Sequence, residues 1–213
     1  MMSLIELKNV SKTFKGYTIF DDVSVAFEEG KCYGIMGPNG SGKSVLFKMM
    51  CQFVKPDVGE VSIDSRFLDS KARFPKDFGI IIDRPGYIPN KTGFENLKEL
   101  ASIKNDISDD KIEEVMRQVN LDPNLKQKMK NYSLGMKQKI SIAQAIMEDQ
   151  SVLILDEPFN GLDISGVETV RAILLGLKKR GKTIILTSHN KEDLDILCDA
   201  VFLIDQYKII PRI

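Results

Sequence analysis

Three short stretches bring together residue types that can do phosphate chemistry. In the first, Gly37, Pro38, Asn39, Gly40, Ser41, Gly42, Lys43 and Ser44 follow the pattern G-x-x-x-x-G-K-[ST]. Glycines let a backbone curl until its N–H groups face inward, and a helix running on through Val45 adds its positive dipole end. Lys43 can then reach β- and γ-phosphates, and the Ser44 hydroxyl suits Mg²⁺. In the second stretch an apolar run, residues 152–155, ends in Asp156 and Glu157. Carboxylates placed there stand at the C-terminal edge of a strand, where parallel sheets bind ligands. Asp156 suits Mg²⁺, directly or through water, and Glu157 can accept a proton from an attacking water or orient it. The third is His189, the only histidine, which follows the apolar run 183–187 in Thr-Ser-His-Asn. That placement suits a hydrogen bond to a γ-phosphate, with the ring holding the water or Glu157 in position. Each stretch has a plainer structural alternative: a glycine turn with a capping serine, a solvated acidic turn, a satisfied polar histidine.

Short apolar strands alternating with helical patterns must position these groups. Strands are expected at residues 4–10, 23–27, 32–36, 61–64, 78–82, 152–156, 183–187 and 201–204, and an apolar helix at 45–51. GIII, VLILD and TIILT are continuous runs, the pattern of parallel strands covered on both faces. The expected fold class is α/β, with antiparallel strands added near the N-terminus. Residues 84–149 contain no convincing strand and are too long for a simple crossover, so they read as an inserted helical lobe. Within it, Ser108 can cap a helix carrying Asp109 and Asp110 in its first turn. Ile112, Val115, Met116 and Val119 then form one apolar stripe, which Asp122-Pro123 stops. The whole chain, 1–213, reads as one domain, with 1–83 and 150–213 forming the lobe that carries the phosphate loop.

Composition narrows the function classes. Lys plus Arg and Asp plus Glu both number 30, so direct nucleic-acid binding is not expected. No secretory signal pattern opens the chain, and its apolar runs fall far short of the ~20 residues that span a bilayer. Any work at a membrane is therefore expected to go through a partner. Cys32, Cys51 and Cys198 form no metal or disulfide pattern and suit a reducing cytosol.

Taken in order, the motifs resemble the nucleotide-binding domain of ATP-binding-cassette (ABC) transporters, over essentially the whole chain. The resemblance rests on residues 37–44 (Walker A), 133–138 (signature), 152–157 (Walker B), Asn160-Gly161-Leu162-Asp163 (D-loop) and His189 (switch histidine). It implies a P-loop NTPase of ABC type: a mixed-sheet nucleotide-binding lobe with an inserted helical lobe. It also implies a Mg²⁺-dependent ATPase, with ATP and Mg²⁺ bound and Lys43, Glu157 and His189 in catalytic roles. The implied partners are a second copy of the chain, closing on nucleotide, and a membrane-spanning permease at the cytoplasmic face of the membrane. Ser133 and Gly135 would then meet the γ-phosphate of ATP on the other protomer, with Asp163 nearby. Phe14, 29 residues before Lys43, is chosen as the platform for adenine. Tyr17 is the alternative to Phe14, and plain packing of Phe14 is another.

Two departures from the family pattern stand out. Where a glutamine usually ends the strand before the helical lobe, this chain has Asp83, followed by Arg84-Pro85. That glutamine touches Mg²⁺ and the attacking water, so the resemblance implies Asp83 at the metal site with Ser44 and Asp156, accepting hydrogen bonds from metal-bound water. Asp83 adds negative charge beside the γ-phosphate, and it can also be only a turn residue. The signature reads Tyr132-Ser133-Leu134-Gly135-Met136, with Leu134 in place of a first glycine, which implies a stiffer cradle. Both variants resemble bacterial ATPases that serve exporters of drugs and peptide antibiotics. Tyr87, Ile88 and Phe94 lie where such ATPases grip their membrane subunit, and ordinary packing is the alternative there. Lys126, Lys128, Lys130, Lys137 and Lys139 form a basic cluster that reads as a solvated face. The competing functions are a ribosome- or DNA-associated ABC-type ATPase and a weakly hydrolysing nucleotide-dependent regulator. The chain has neither a long coiled-coil insertion nor a second cassette to favour the first of these.

Overall fold

The structure, a computed structural model, describes residues 3–69, 73–83, 86–104 and 107–212. Its N-terminal hairpin joins β1 (Ser3–Phe14) to β2 (Tyr17–Glu28). Lys15 and Gly16 turn it with φ of 49° and 84°, the left-handed pair whose twist matches that of the flanking strands. Both strands run longer than expected: β1 continues through exposed Thr13 and Phe14, and β2 starts six residues early with Tyr17, Ile19 and buried Phe20. Two segments follow, β3 (Cys32–Met36) and β4 (Val58–Ile63), and β4 pairs with β1. The result is a three-stranded antiparallel sheet ordered β2-β1-β4.

The second sheet combines β3 with β5 (Phe78–Ile81), β6 (Val152–Leu155), β7 (Thr183–Thr187), β8 (Ala200–Asp205) and β9 (Lys208–Pro211). Its order is β5-β6-β7-β3-β8-β9, parallel except for the last pair. Strand β9 is absent from the sequence reading. It follows a tight turn at Gln206 and Tyr207, both at positive φ but neither a usual turn former, and it ends at an edge proline. Each residue of β6 serves one of two cores in alternation. Val152 and Ile154 join Phe20, Phe27, Tyr33, Leu46 and Phe47 beneath the small sheet, whereas Leu153 and Leu155 join the helices on the opposite face. That two-sided burial is why the central strands read as unbroken apolar runs.

The described residues include six α-helices: α1 (Lys43–Met50), α2 (Gly93–Ala101), α3 (Asp109–Gln118), α4 (Leu134–Ile146), α5 (Ile164–Lys179) and α6 (Lys191–Leu197). Among the described residues between β5 and β6 there is no strand. Thr92 and Glu95 form a reciprocal capping box at the start of α2, a T-x-x-E signal that the sequence reading passed over. Ser108 caps α3, and Ile112, Val115, Met116 and Val119 are all buried in the helical core. Helix α4 also lies against β5: a Cβ added at Gly79 would stand 1.9 Å from the Ala145 carbonyl oxygen. Backbone cannot yield by that amount, so Gly79→Ala should cost about 2–3 kcal/mol. Urea unfolding would show it as a lowered midpoint; an unchanged midpoint would mean that α4 does not seat on β5 as described.

Candidate active site

The phosphate loop leaves the buried end of β3 and enters α1 through Gly42, whose φ of 103° is open to glycine and strained for other residues. Space is closed there as well, since an added Cβ would meet Ile19 Cγ2 at 2.6 Å. No side chain caps α1. Its first N–H groups are therefore left to a ligand or to water, as at any uncapped helix start. Lys43 reaches back across the loop, donating to the carbonyls of Gly37 at 2.8 Å and Pro38 at 3.2 Å. Pro38, Asn39 and Gly40 form its exposed lip, while Ser41, Gly42 and Val45 are half-buried. The Ser41 hydroxyl oxygen is buried without a hydrogen-bond partner.

Strand order brings the other groups to the same edge. β5, β6 and β7 are neighbours, and their C-terminal ends deliver Asp83, Asp156 with Glu157, and His189. The Ser44 hydroxyl donates to Asp156 Oδ2 at 2.5 Å, and the Thr187 hydroxyl donates to Asp156 Oδ1 at 2.8 Å. Thr187 Oγ1 also accepts from the Glu157 backbone N–H at 2.7 Å. Glu157 sits in a left-handed conformation, φ 51°, which turns its side chain out of the strand direction. Its Oε1 is buried without a hydrogen bond. The His189 Nε2 stands 3.3 Å away, close enough for charge attraction but not aligned as a donor. The loop behind His189 is braced: Ser188 donates to buried Asp193, which also accepts from Arg171 Nε at 2.7 Å. That carboxylate beside it raises the Arg171 guanidinium pKa still further. Thr187 is a site residue that the sequence reading counted only as strand. Its signal was a hydroxyl residue closing an otherwise aliphatic run beside a strand that ends in Asp.

Asp83 lines one cavity of about 570 Å³ together with Ser44, Asp156, Glu157, Leu134 and Gln138. Its Oδ2 lies 2.6 Å from Lys48 Nζ, an ion pair with α1. Arg84 and Pro85, which follow it, lie outside the described residues. Gln138, on α4, donates to the backbone carbonyls of Glu157 (3.3 Å) and Pro158 (3.0 Å), tying α4 to the turn that follows β6.

The signature residues have partners within the protomer. Ser133 caps α4, its oxygen accepting from the Met136 N–H at 3.1 Å. A Cβ on Gly135 would stand 2.7 Å from the Gly161 carbonyl oxygen, so the glycine is needed for packing on the D-loop as well as for any approach of phosphate. Leu134, 57% exposed, covers Gly161 from the other side. Asp163 caps α5, and the Gly166 N–H it accepts holds its carboxyl below the usual range. Among the described residues, Phe14, Ser133, Gly135 and Asp163 share no hydrogen bond with the phosphate loop. Phe14 is not core: it is 42% exposed at the hairpin turn, paired with Tyr17, and Lys12 Nζ lies 5.0 Å from its ring centre. Tyr87 and Ile88 are exposed, whereas Phe94 packs on the helical core. The lysine cluster is spread over local contacts, Lys128 to Glu95 and Lys130 to Asn90 among them, as a solvated face would be.

Comparison with known proteins agrees with this geometry. Residues 20–160 match the family described as ABC transporter. The chain is 43% identical over 196 residues to the ABC transporter ATP-binding protein YybJ of Bacillus subtilis, covering 92% of this chain and 90% of that one. It is 33% identical to the bacitracin transport ATP-binding protein BcrA of Enterococcus faecalis, covering 100% and 70%. It is 32% identical to the lantibiotic transport ATP-binding protein SrtF of Streptococcus pyogenes, covering 97% and 89%. Among solved structures, the fold matches the ATP-binding cassette MJ0796 bound to ADP and Pi with a TM-score of 0.86 at 24% identity, over 98% and 97% of the two chains. By family match, by relatives and by fold, the chain belongs to the ABC transporter family.

Proposed function

We propose that the chain binds and hydrolyses ATP to power a separate membrane-spanning subunit that exports drugs, peptides or similar compounds. The observation that carries the reading is the continuous hydrogen-bonded path Ser44–Asp156–Thr187–Glu157, which joins the phosphate loop to the candidate base. Two buried oxygens without partners, on Ser41 and Glu157, are the polar groups that a nucleotide and its attacking water would satisfy. The donor set fits Mg²⁺: a hydroxyl and a carboxylate held together, too few to cage an ion alone but suited to one that also takes phosphate oxygens. Ser44 and Asp156 would hold the ion, and its positive charge would offset the charge that develops on the phosphate oxygens.

The residues divide the work. Lys43 exchanges the Gly37 and Pro38 carbonyls for phosphate oxygens, while Gly37, Gly40 and Gly42 keep backbone N–H groups turned inward. Ser44 and Asp156 hold the metal. Glu157 takes up or orients the proton of the attacking water, and His189 holds that carboxylate and the γ-phosphate in line. Asp83 accepts from water at the rim of the cavity. Phe14 offers adenine an aromatic face worth about 1 kcal/mol, a contribution that would leave base selectivity weak.

Ser133, Gly135 and Asp163 act across an interface, each protomer presenting the start of α4 to ATP held by the other. The MJ0796 cassette is a dimer in two solved structures, and the relatives named for bacitracin and lantibiotic transport motivate the export reading. No helix among the described residues is long and apolar enough to cross a membrane. The transport step is assigned to a membrane-spanning partner on the strength of the transporter relatives, with this chain at its cytoplasmic face. Exposed Tyr87 and Ile88 are proposed as part of that contact. Residues 84–149 are proposed as the lobe that moves against 1–83 and 150–213.

Two substitutions test this. Glu157→Gln should lower turnover by about 100-fold or more while ATP still binds, and the trapped nucleotide should shift gel filtration toward the dimer. Full turnover by a monomer would remove Glu157 from the mechanism. Lys43→Ala should weaken ATP affinity roughly tenfold to a hundredfold, measured by fluorescent-nucleotide titration. Unchanged affinity would put the phosphates somewhere else.

A further inference from the structure

Asp83 presents a problem that the rest of the site does not. Three carboxylates, those of Asp83, Asp156 and Glu157, line a single cavity that must admit a polyphosphate. Asp156 is held by the Ser44 and Thr187 hydroxyls, and the uncharged Gln138 anchors the backbone beside Glu157. Lys43 is engaged with loop carbonyls, and Lys137 Nζ stands 5.2 Å from the Tyr87 ring centre. Among the described residues, the cation that meets Asp83 is Lys48, at 2.6 Å.

Lys48 sits one helical turn beyond Ser44 on α1, so the two side chains project from the same face. Asp83 and Asp156 follow adjacent parallel strands, and the Asp156 N–H donates to the Ile81 carbonyl at 2.7 Å. One face of α1 thus grips two neighbouring strand ends at once, Ser44 on Asp156 and Lys48 on Asp83. The left-handed backbone of Asp83, φ 58°, turns its carboxylate back toward that face. With side chains 33% and 57% exposed, the pair adds little to stability, and its consequence lies in where it puts charge.

We propose that Lys48 is a positioning residue of the nucleotide site: its ammonium offsets the Asp83 charge and holds that carboxylate at the cavity wall, so that an acid can stand beside the phosphates. The inference rests on the ATP-binding reading above and deepens it. Lys48 acts through Asp83, and its effect exists only while residue 83 is an acid.

A double-mutant cycle on the full chain separates these statements, with ATP affinity measured in EDTA and KM and kcat measured with Mg²⁺. Lys48→Met should weaken Mg²⁺-free ATP binding about fivefold and raise KM more than it lowers kcat. Lys48→Arg should retain wild-type affinity. In an Asp83→Asn background, Lys48→Met should have no further effect, and Asp83→Asn alone should bind Mg²⁺-free ATP at least as tightly as wild type. An undiminished Lys48→Met effect in the Asp83→Asn background would overturn the proposal, because Lys48 would then act on phosphate directly. Wild-type affinity in Lys48→Met alone would overturn it too. Absence of ATP binding by the wild-type chain would instead bring down the underlying functional reading, and this proposal with it. Should Lys48→Met fold poorly, Asp83→Asn decides: weaker Mg²⁺-free binding than wild type would contradict the charge argument.

Discussion

The hydroxyl of Thr187 holds the site together from the middle of the sheet. It donates to Asp156 and accepts from the Glu157 N–H, so one atom fixes both the residue assigned to the metal and the turn that presents the base. Asp156 in turn accepts from Ser44, which extends the path to the first turn of α1. Each of these groups is at least half-buried, where an unpaired donor or acceptor is costly. Removing the Thr187 hydroxyl or the Asp156 carboxylate therefore leaves two other groups unsatisfied, which ties β6, β7 and α1 into one unit.

That unit is possible because of strand order. Placing β6 beside β7, and β7 beside β3, puts the ends of three parallel strands on one edge within hydrogen-bonding reach. The alternating burial of β6 lets a single four-residue strand serve both cores while its last carboxylates emerge together. On the far side, α4 seats against β5, and Gln138 reaches the backbone of Glu157 and Pro158. The signature helix is thereby connected to the catalytic turn within one protomer. Gly135, Leu134 and Gly161 pack the same helix start closely against the segment at Gly161.

Much of this was legible before any coordinates. The parallel strands declared themselves as unbroken Ile, Leu and Val runs because both faces are buried, and the capped helix α3 appeared through Ser108 and its apolar stripe. The phosphate loop was legible because its backbone demands glycine at Gly42. Thr187 was missed because a threonine in a buried strand looks like any β-branched filler; its role depends on which strand lies alongside. The reach of Gln138 and the Lys48–Asp83 pair were hidden for the same reason, since both join elements far apart in the chain. β9 escaped because its turn uses Gln206 and Tyr207, whose left-handed backbone no local propensity would announce. Gly135 was read as a residue for phosphate alone, and its second cause, the Gly161 carbonyl, exists only in the packed molecule.

The central claim is that one hydroxyl aligns metal holder and base. Thr187→Val keeps the shape and the β-branch of the side chain while deleting the hydroxyl, so ATPase turnover of this variant, read beside Mg²⁺-free ATP binding, is the most direct measurement. The account predicts a fall in kcat of about tenfold or more with Mg²⁺-free binding retained. Turnover within about twofold of wild type would contradict it, and would mean that Asp156 and Glu157 are positioned without Thr187.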